Sequence, residues 1–226
     1  PNLAKTLKAI SSKGAAGFYE GEVADLIAGY MKKNNGLITK ADLKNYKPVW
    51  REPVRGNYKE YEIVTMPPPS SGGIHIIQML NILEHYNLPE MGHNSPTYVA
   101  LLAEVMKYAY ADRSKYLGDP DFFDVPVAQL ISKEYAKEVN SRIELNQITP
   151  SDKILPGDAM PHESMDTTHF SVADQFGNVT SNTYTLNSGF GSGIIVEGTG
   201  VLMNNEMDDF VSAPGIPNQF GLIGGE

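Results

Sequence analysis

Apolar positions along this chain follow a mainly helical spacing up to about residue 145, interrupted by one strand pair, and alternate after residue 167. Residues 2–13 place Leu3, Leu7 and Ile10 on one face of a predicted helix. Gly14 to Gly17 interrupt it. A second helix is predicted from about Glu20 to Lys33, presenting Val23, Leu26, Ile27, Tyr30 and Met31, and "NNG" ends it. Thr39 is placed to cap a short helix through Tyr46, with Asp42 at the capping-box position and Pro48 closing the unit. The run "VWREPVRGNYKEYEIVTM" is expected to form two strands around a Gly56-Asn57 turn. Pro67, Pro68 and Pro69 stop the second strand. "SSGGIHIIQMLNILEHY" opens a helix on serines and glycines. Ser95 as N-cap and Pro96 at N1 begin a long helix over 96–117, and another covers about Ser132 to Leu145.

Residues 146–166 are polar and carry Pro150, Pro156, Gly157 and Pro161, which marks a linker. Beyond it, "THFSVAD" and "VTSNTYTL" flank "QFGN", a hairpin signal. The glycine-rich "NSGFGSG" and then "IIVEGTGVLMNNEMDDF" follow. Helices first and strands afterwards predict a layered structure, α+β or α/β.

Composition narrows the function classes. The 226 residues have 41% hydrophobic and 20% charged content, enough for a sizeable core. A net charge of −9 argues against a general nucleic-acid binder. With no cysteine there is no disulfide, thiolate metal site or cysteine nucleophile. Gln78, Asn81 and Glu84 interrupt the longest apolar cluster, so it does not read as a membrane span. No signal peptide is visible, and a start at Pro1 with an end in "FGLIGGE" suggests a piece of a longer polypeptide.

Several candidate sites yield to ordinary readings. "PPPSSGGIH" lacks the Gly-Lys-Ser/Thr ending of a phosphate loop and reads as a turn with a helix cap. Ser70 or Ser71 with His75 would lack an orienting third group. The five histidines, His75, His85, His93, His162 and His169, show no metal-ligand spacing. Asp119, Asp121 and Asp124 lack the glycine and glutamate of a calcium loop. Asn178 heads a glycosylation pattern, but a hairpin turn also wants Asn there.

The junction "MDTTHF" raises a different chemistry. A threonine hydroxyl is a weak nucleophile unless a base stands beside it, and a free α-amine on the same residue can be that base. An α-amine titrates near 7.7–8.0, close to working pH. The threonine must first become a chain terminus, through attack on its own preceding carbonyl. A flexible linker before it and a rigid strand after it suit such a cut. On residues alone, the ordinary reading of Thr167 and Thr168 as β-branched strand residues prevails, because threonine pairs are common.

The segment "TTHFSVAD…GNVTSNTYTLNSGFGSGIIVEGTGVLMNNEMDDF" resembles the start of the small subunit of the γ-glutamyltranspeptidases, which are N-terminal-nucleophile hydrolases. "GFYEGEVADLI", "GLITKADLKNY", "REPVRGNY", "MPPPSSGG" and "YAYADRSKYLGDPDF" resemble the later part of the large subunit, so the likeness covers nearly the whole chain. It implies an αββα four-layer sandwich, incomplete here, with residues 1–166 from the large subunit, the linker 146–166 at its end, and 167–226 from the small subunit. It implies self-cleavage between Asp166 and Thr167, with Thr167 as nucleophile on γ-glutamyl amides such as glutathione. Water or an acceptor amino acid or peptide would release the γ-glutamyl ester. Thr185 matches the second threonine, whose hydroxyl bonds the nucleophile. Asn187, Glu206 and Asp209 match the groups that hold the substrate ammonium. Two carboxylates and an amide oxygen are suitable acceptors for it. Phe220 stands in the lid, where some members have a tyrosine. The resemblance implies no cofactor and no metal, a heterodimer of large and small subunits, and a periplasmic or secreted location. The family's α-carboxylate arginine is expected before Pro1, and its paired serines and oxyanion-hole glycines after Glu226, so this stretch is expected to be inactive alone. A related acylase, of the cephalosporin or poly-γ-glutamate type, and a non-catalytic member are the alternatives.

Overall fold

The computed structural model describes residues 1–145, 147–154, 167–210, 213 and 216–219. In chain order the helices are α1 (Asn2–Lys13), α2 (Ala16–Tyr19), α3 (Gly21–Lys33), α4 (Lys40–Asn45), α5 (Gly72–Leu83), α6 (Leu88–Met91), α7 (Pro96–Tyr116), α8 (Val127–Leu130) and α9 (Lys133–Asn140). The strands are β1 (Val54–Tyr58), β2 (Tyr61–Thr65), β3 (Thr167–Ala173), β4 (Val179–Thr185), β5 (Ile195–Val196) and β6 (Val201–Leu202). Among the described residues they form antiparallel pairs, β1 with β2, β3 with β4 and β5 with β6. The mixed helix-and-sheet architecture read from the sequence is therefore present.

The described residues fall into two compact units, residues 1–50 with 167–209, and 51–154 with 210–219. In the first, Val23, Ala24 and Ile27 of α3 pack with Leu43 of α4 and Val196 of β5. Thr39 makes the expected capping box: its hydroxyl accepts the Asp42 N–H at 3.3 Å and the Asp42 carboxylate accepts the Thr39 N–H at 2.7 Å. The buried Thr6 hydroxyl of α1 donates to the Thr199 carbonyl at 2.9 Å, which fastens the β5–β6 turn to the helices.

In the second unit α5 packs on β1, α7 and α9. Its core joins Ile82, Leu83, Leu101, Val105, Ala136, Val139 and Ile143. Each of the valine, leucine and isoleucine side chains among them contributes roughly 1.5–3 kcal/mol by leaving water. Ser95 and Ser132 cap α7 and α9 by accepting the N–H of Tyr98 and Tyr135 at 3.2 and 3.1 Å. The β1–β2 turn is not at Gly56-Asn57. Gly56 lies inside β1 opposite Ile63, and the strands turn at Lys59-Glu60, where Lys59 has φ 53°. Gly56 is small for another reason: a Cβ there would sit 2.6 Å from Ile77 Cγ2. Inside this core the Tyr135 hydroxyl donates to Asp112 at 2.9 Å, and the Gln78 amide also bonds Asp112.

Candidate active site

The β3–β4 ladder sets Thr167 opposite Thr185, His169 opposite Thr183 and Ser171 opposite Ser181. Asp174 builds the turn that closes it. Its Oδ1 accepts the N–H groups of Phe176 and Asn178 at 2.9 Å, and its Oδ2 accepts from Asn178 Nδ2 at 2.7 Å. The Asn178 side chain is thus part of the turn. Directly opposed residues of an antiparallel pair have Cβ atoms about 4.5–5.5 Å apart. Thr167 and Thr185 are therefore neighbours on one face, Thr167 exposed and Thr185 half-buried.

The chain leaving β4 is tied to the chain leaving β6. The Asn187 N–H donates to Thr185 Oγ1 at 2.9 Å. Asn187 is buried with φ 72°, a left-handed conformation that Asn tolerates. Its Nδ2 donates to the Asn205 carbonyl at 3.0 Å. Asn205 answers with its own N–H to the Leu186 carbonyl at 3.1 Å and an Oδ1 that accepts the Ser188 N–H at 3.1 Å. Glu206 is the next residue. The fold thereby links the threonine pair, through Asn187 and Asn205, to the acidic segment.

Glu206–Asp209 form one 3₁₀ turn. Side chains at i and i+3 eclipse in that geometry, so the two carboxyls share a side. Partial burial pushes the Glu206 carboxyl above its ordinary pKa, and the charge of Asp209 and a hydrogen bond with it add to the effect. Glu206 Oε1 is buried without a hydrogen-bond partner. Such an acceptor beside a second carboxylate suits a cation carrying N–H donors.

Asp166 and Phe220, the other expected site positions, lie outside the described residues. The Ser70/Ser71–His75 arrangement does not form a nucleophile–base pair. His75 Nε2 has no hydrogen-bond partner, its ring lies 5.5 Å from that of Tyr110, and burial, with the charge of Arg113 adding, pushes its pKa down to about 4. Asp121 is occupied by Arg51 at 3.0 and 2.7 Å. Sequence reading missed Asn205 and Ser188, whose signal is only an Asn before the acidic run and a Ser after Asn187.

Comparison places the fold. Its fold class is that of solved N-terminal-nucleophile hydrolases: the chain superposes on the cephalosporin acylase of Bacillus halodurans with a TM-score of 0.77 at 30% identity, over 99% of this chain and 40% of that one. On Helicobacter pylori gamma-glutamyltranspeptidase the TM-score is 0.66 at 50% identity, over 72% of this chain and 46% of that one. The gamma-glutamyltranspeptidase family profile matches residues 1–226, and the chain belongs to that family. It is 52% identical to the glutathione hydrolase proenzyme of Escherichia coli (strain K12), over 100% of this chain and 39% of that relative. The chain thus spans about two-fifths of the curated relatives' length.

Proposed function

We propose that this chain carries the nucleophile and the ammonium-binding groups of a γ-glutamyltransferase and glutathione hydrolase. The observation that carries the reading is the register that sets Thr167 directly opposite Thr185. Thr167 Oγ attacks the Asp166 carbonyl, the Asp166–Thr167 C–N bond breaks as the nitrogen takes the hydroxyl proton and becomes a free α-amine, and water then cleaves the resulting ester to free the Thr167 hydroxyl. That amine accepts the hydroxyl proton as Thr167 attacks the γ-glutamyl amide carbon. The amide nitrogen leaves with a proton, and water or an acceptor amine then takes the γ-glutamyl group from the ester. The Thr185 hydroxyl, held against the Asn187 N–H, orients the nucleophile. Glu206 and Asp209 take the substrate α-ammonium, with Asn187 beside them, and Phe220 belongs to the covering lid.

On this reading glutathione and other γ-glutamyl compounds are the donors, amino acids, peptides or water the acceptors. The cut yields a large and a small subunit that remain paired, in the periplasm or outside the cell. The likeness to a cephalosporin acylase over 99% of the chain favours a second reading, an acylase on another amide. The Glu206–Asp209 pair weighs for the first, because two neighbouring carboxyls suit a cationic group such as the α-ammonium of a γ-glutamyl substrate. The test uses the full-length protein. Thr167→Ala should give a single uncut chain that releases no p-nitroaniline from γ-glutamyl-p-nitroanilide, and turnover by that variant would sink the reading. Wild-type enzyme that cleaves acyl amides lacking the α-amine equally well would favour the acylase.

A further inference from the structure

The hairpin that carries Thr167 has two unlike faces. On one, Phe170 meets Tyr184 edge-on, ring centroids 6.5 Å apart. The other is a ladder of hydroxyls spanned by a histidine. His169 Nδ1 lies 2.7 Å from Thr183 Oγ1, and Nε2 lies 3.1 Å from Ser181 Oγ and 3.4 Å from Ser171 Oγ. The two serine hydroxyls are 3.3 Å apart. Because strand side chains alternate, Thr167 and Thr185 stand on this same face, one pair further along.

The strands need such a device. Every residue of β3, and most of β4, is exposed in the described structure, so burial of an apolar face does little to fix how they pair. Composition does not fix it either, since β4 carries Thr180, Thr183 and Thr185. A slip of two residues would set Thr183 opposite Thr167 and keep a threonine pair with the wrong neighbours. The Asp174 turn holds the register only at the far end of the hairpin.

We propose that His169 is a positioning residue: its imidazole, bonded to hydroxyls of both strands, holds Thr183 and with it the Thr167–Thr185 register. It is not the base for Thr167, because both ring nitrogens are engaged by Thr183, Ser181 and Ser171. Hydroxyls both donate and accept, so they satisfy either neutral tautomer. This inference rests on Thr167 being the nucleophile. Its consequence is a turnover defect with substrate affinity largely kept, since the two carboxylates that take the ammonium, Glu206 and Asp209, lie on a different segment.

The experiment compares His169→Ala, His169→Asn, His169→Gln and Thr183→Val in the full-length protein, scoring subunit formation on a gel and kcat and KM for γ-glutamyl-p-nitroanilide. His169→Ala should slow self-cleavage and lower kcat about 10-fold or more, the scale expected for a misplaced nucleophile, with KM within about twofold. Asn places a polar atom near Nδ1 and should restore most of kcat. Gln reaches only toward Nε2 and should not. Thr183→Val should lower kcat alone, and adding His169→Ala to it should cost little more. The inference is overturned if His169→Ala keeps kcat within about twofold, if Asn rescues no better than Gln, or if the effects of His169→Ala and Thr183→Val multiply. Thr167→Ala serves as the control. If it still turns over, the nucleophile reading has failed; if it is dead while His169→Ala is normal, only the role of His169 has.

Discussion

Asp209 acts on Glu206 through both charge and a hydrogen bond, and each holds the Glu206 proton on to higher pH. An ammonium ligand requires the ionised form. Substrate binding should therefore weaken as pH falls through a Glu206 pKa that lies above the usual carboxylate range. Asp209→Asn should raise KM about 10- to 100-fold, the scale of a hydrogen bond to a charged group, and move the acid limb of kcat/KM to lower pH. A pH–rate profile of both proteins measures this. Thr185 allows a separate test. Thr185→Val keeps the β-branched shape but strips the Asn187 N–H of its acceptor. It should destabilise by ~1–3 kcal/mol and lower kcat, whereas Thr185→Ser should retain both, read by denaturant unfolding and steady-state kinetics. The threonines and the acidic pair were legible in the sequence as residues. The bonds of Asn205 and Ser188 were not, because side-chain amides find their partners only when segments 17 or 18 residues apart meet.

Capped helices are the elements most readable from sequence. Thr39, Ser95 and Ser132 each accept the backbone N–H three residues on, a bond that local sequence alone dictates. The β1–β2 hairpin shows the opposite case. A Gly-Asn dipeptide reads as a turn, yet Gly56 answers to Ile77, 21 positions away, and Gly73 to the backbone of Met66, whose carbonyl oxygen would lie 2.0 Å from a new Cβ. These contacts differ in how far they can give. Gly73→Ala drives a methyl into backbone and should destabilise by about 3 kcal/mol or more. Gly56→Ala meets a side chain and should cost about 1–2 kcal/mol. Denaturant midpoints that reverse this order would contradict the packing of α5 on β1–β2. Helix α1 is a further case. Its Leu3 and Leu7 are about half exposed, while Thr6 is buried on the Thr199 carbonyl. An apolar stripe marks the helix, but a long-range hydrogen bond decides which side faces in.

At the scale of the whole molecule, His75 makes one contribution to the acid response among the described residues. Its folded pKa, about 4, lies below the ordinary 6.5 because burial disfavours the imidazolium. A group depressed in this way supports the fold above 6.5 and loses that support as pH falls toward 4, by about 3 kcal/mol in all. Asp112 works the other way, since burial raises its pKa and protonation suits the folded state. His75→Gln in the full-length protein should therefore melt with a shallower dependence on pH between 7 and 4.5 than the parent. An equal slope in both would remove His75 from the acid transition.

The sequence by itself determined the longer helices, the caps at Thr39, Ser95 and Ser132, and the β3–β4 hairpin. Those features depend on short-range spacing, whereas Thr167, Thr185, Glu206 and Asp209 stood out only through the family resemblance. Only the tertiary structure decided which residues join them. The Asn187–Asn205 stitch, the His169–Thr183 bond, the placement of Gly56 in a strand and the burial of Thr6 each depend on segments brought together by packing. A buried polar atom or a close backbone approach is set by what arrives opposite it, and no local pattern records that arrival.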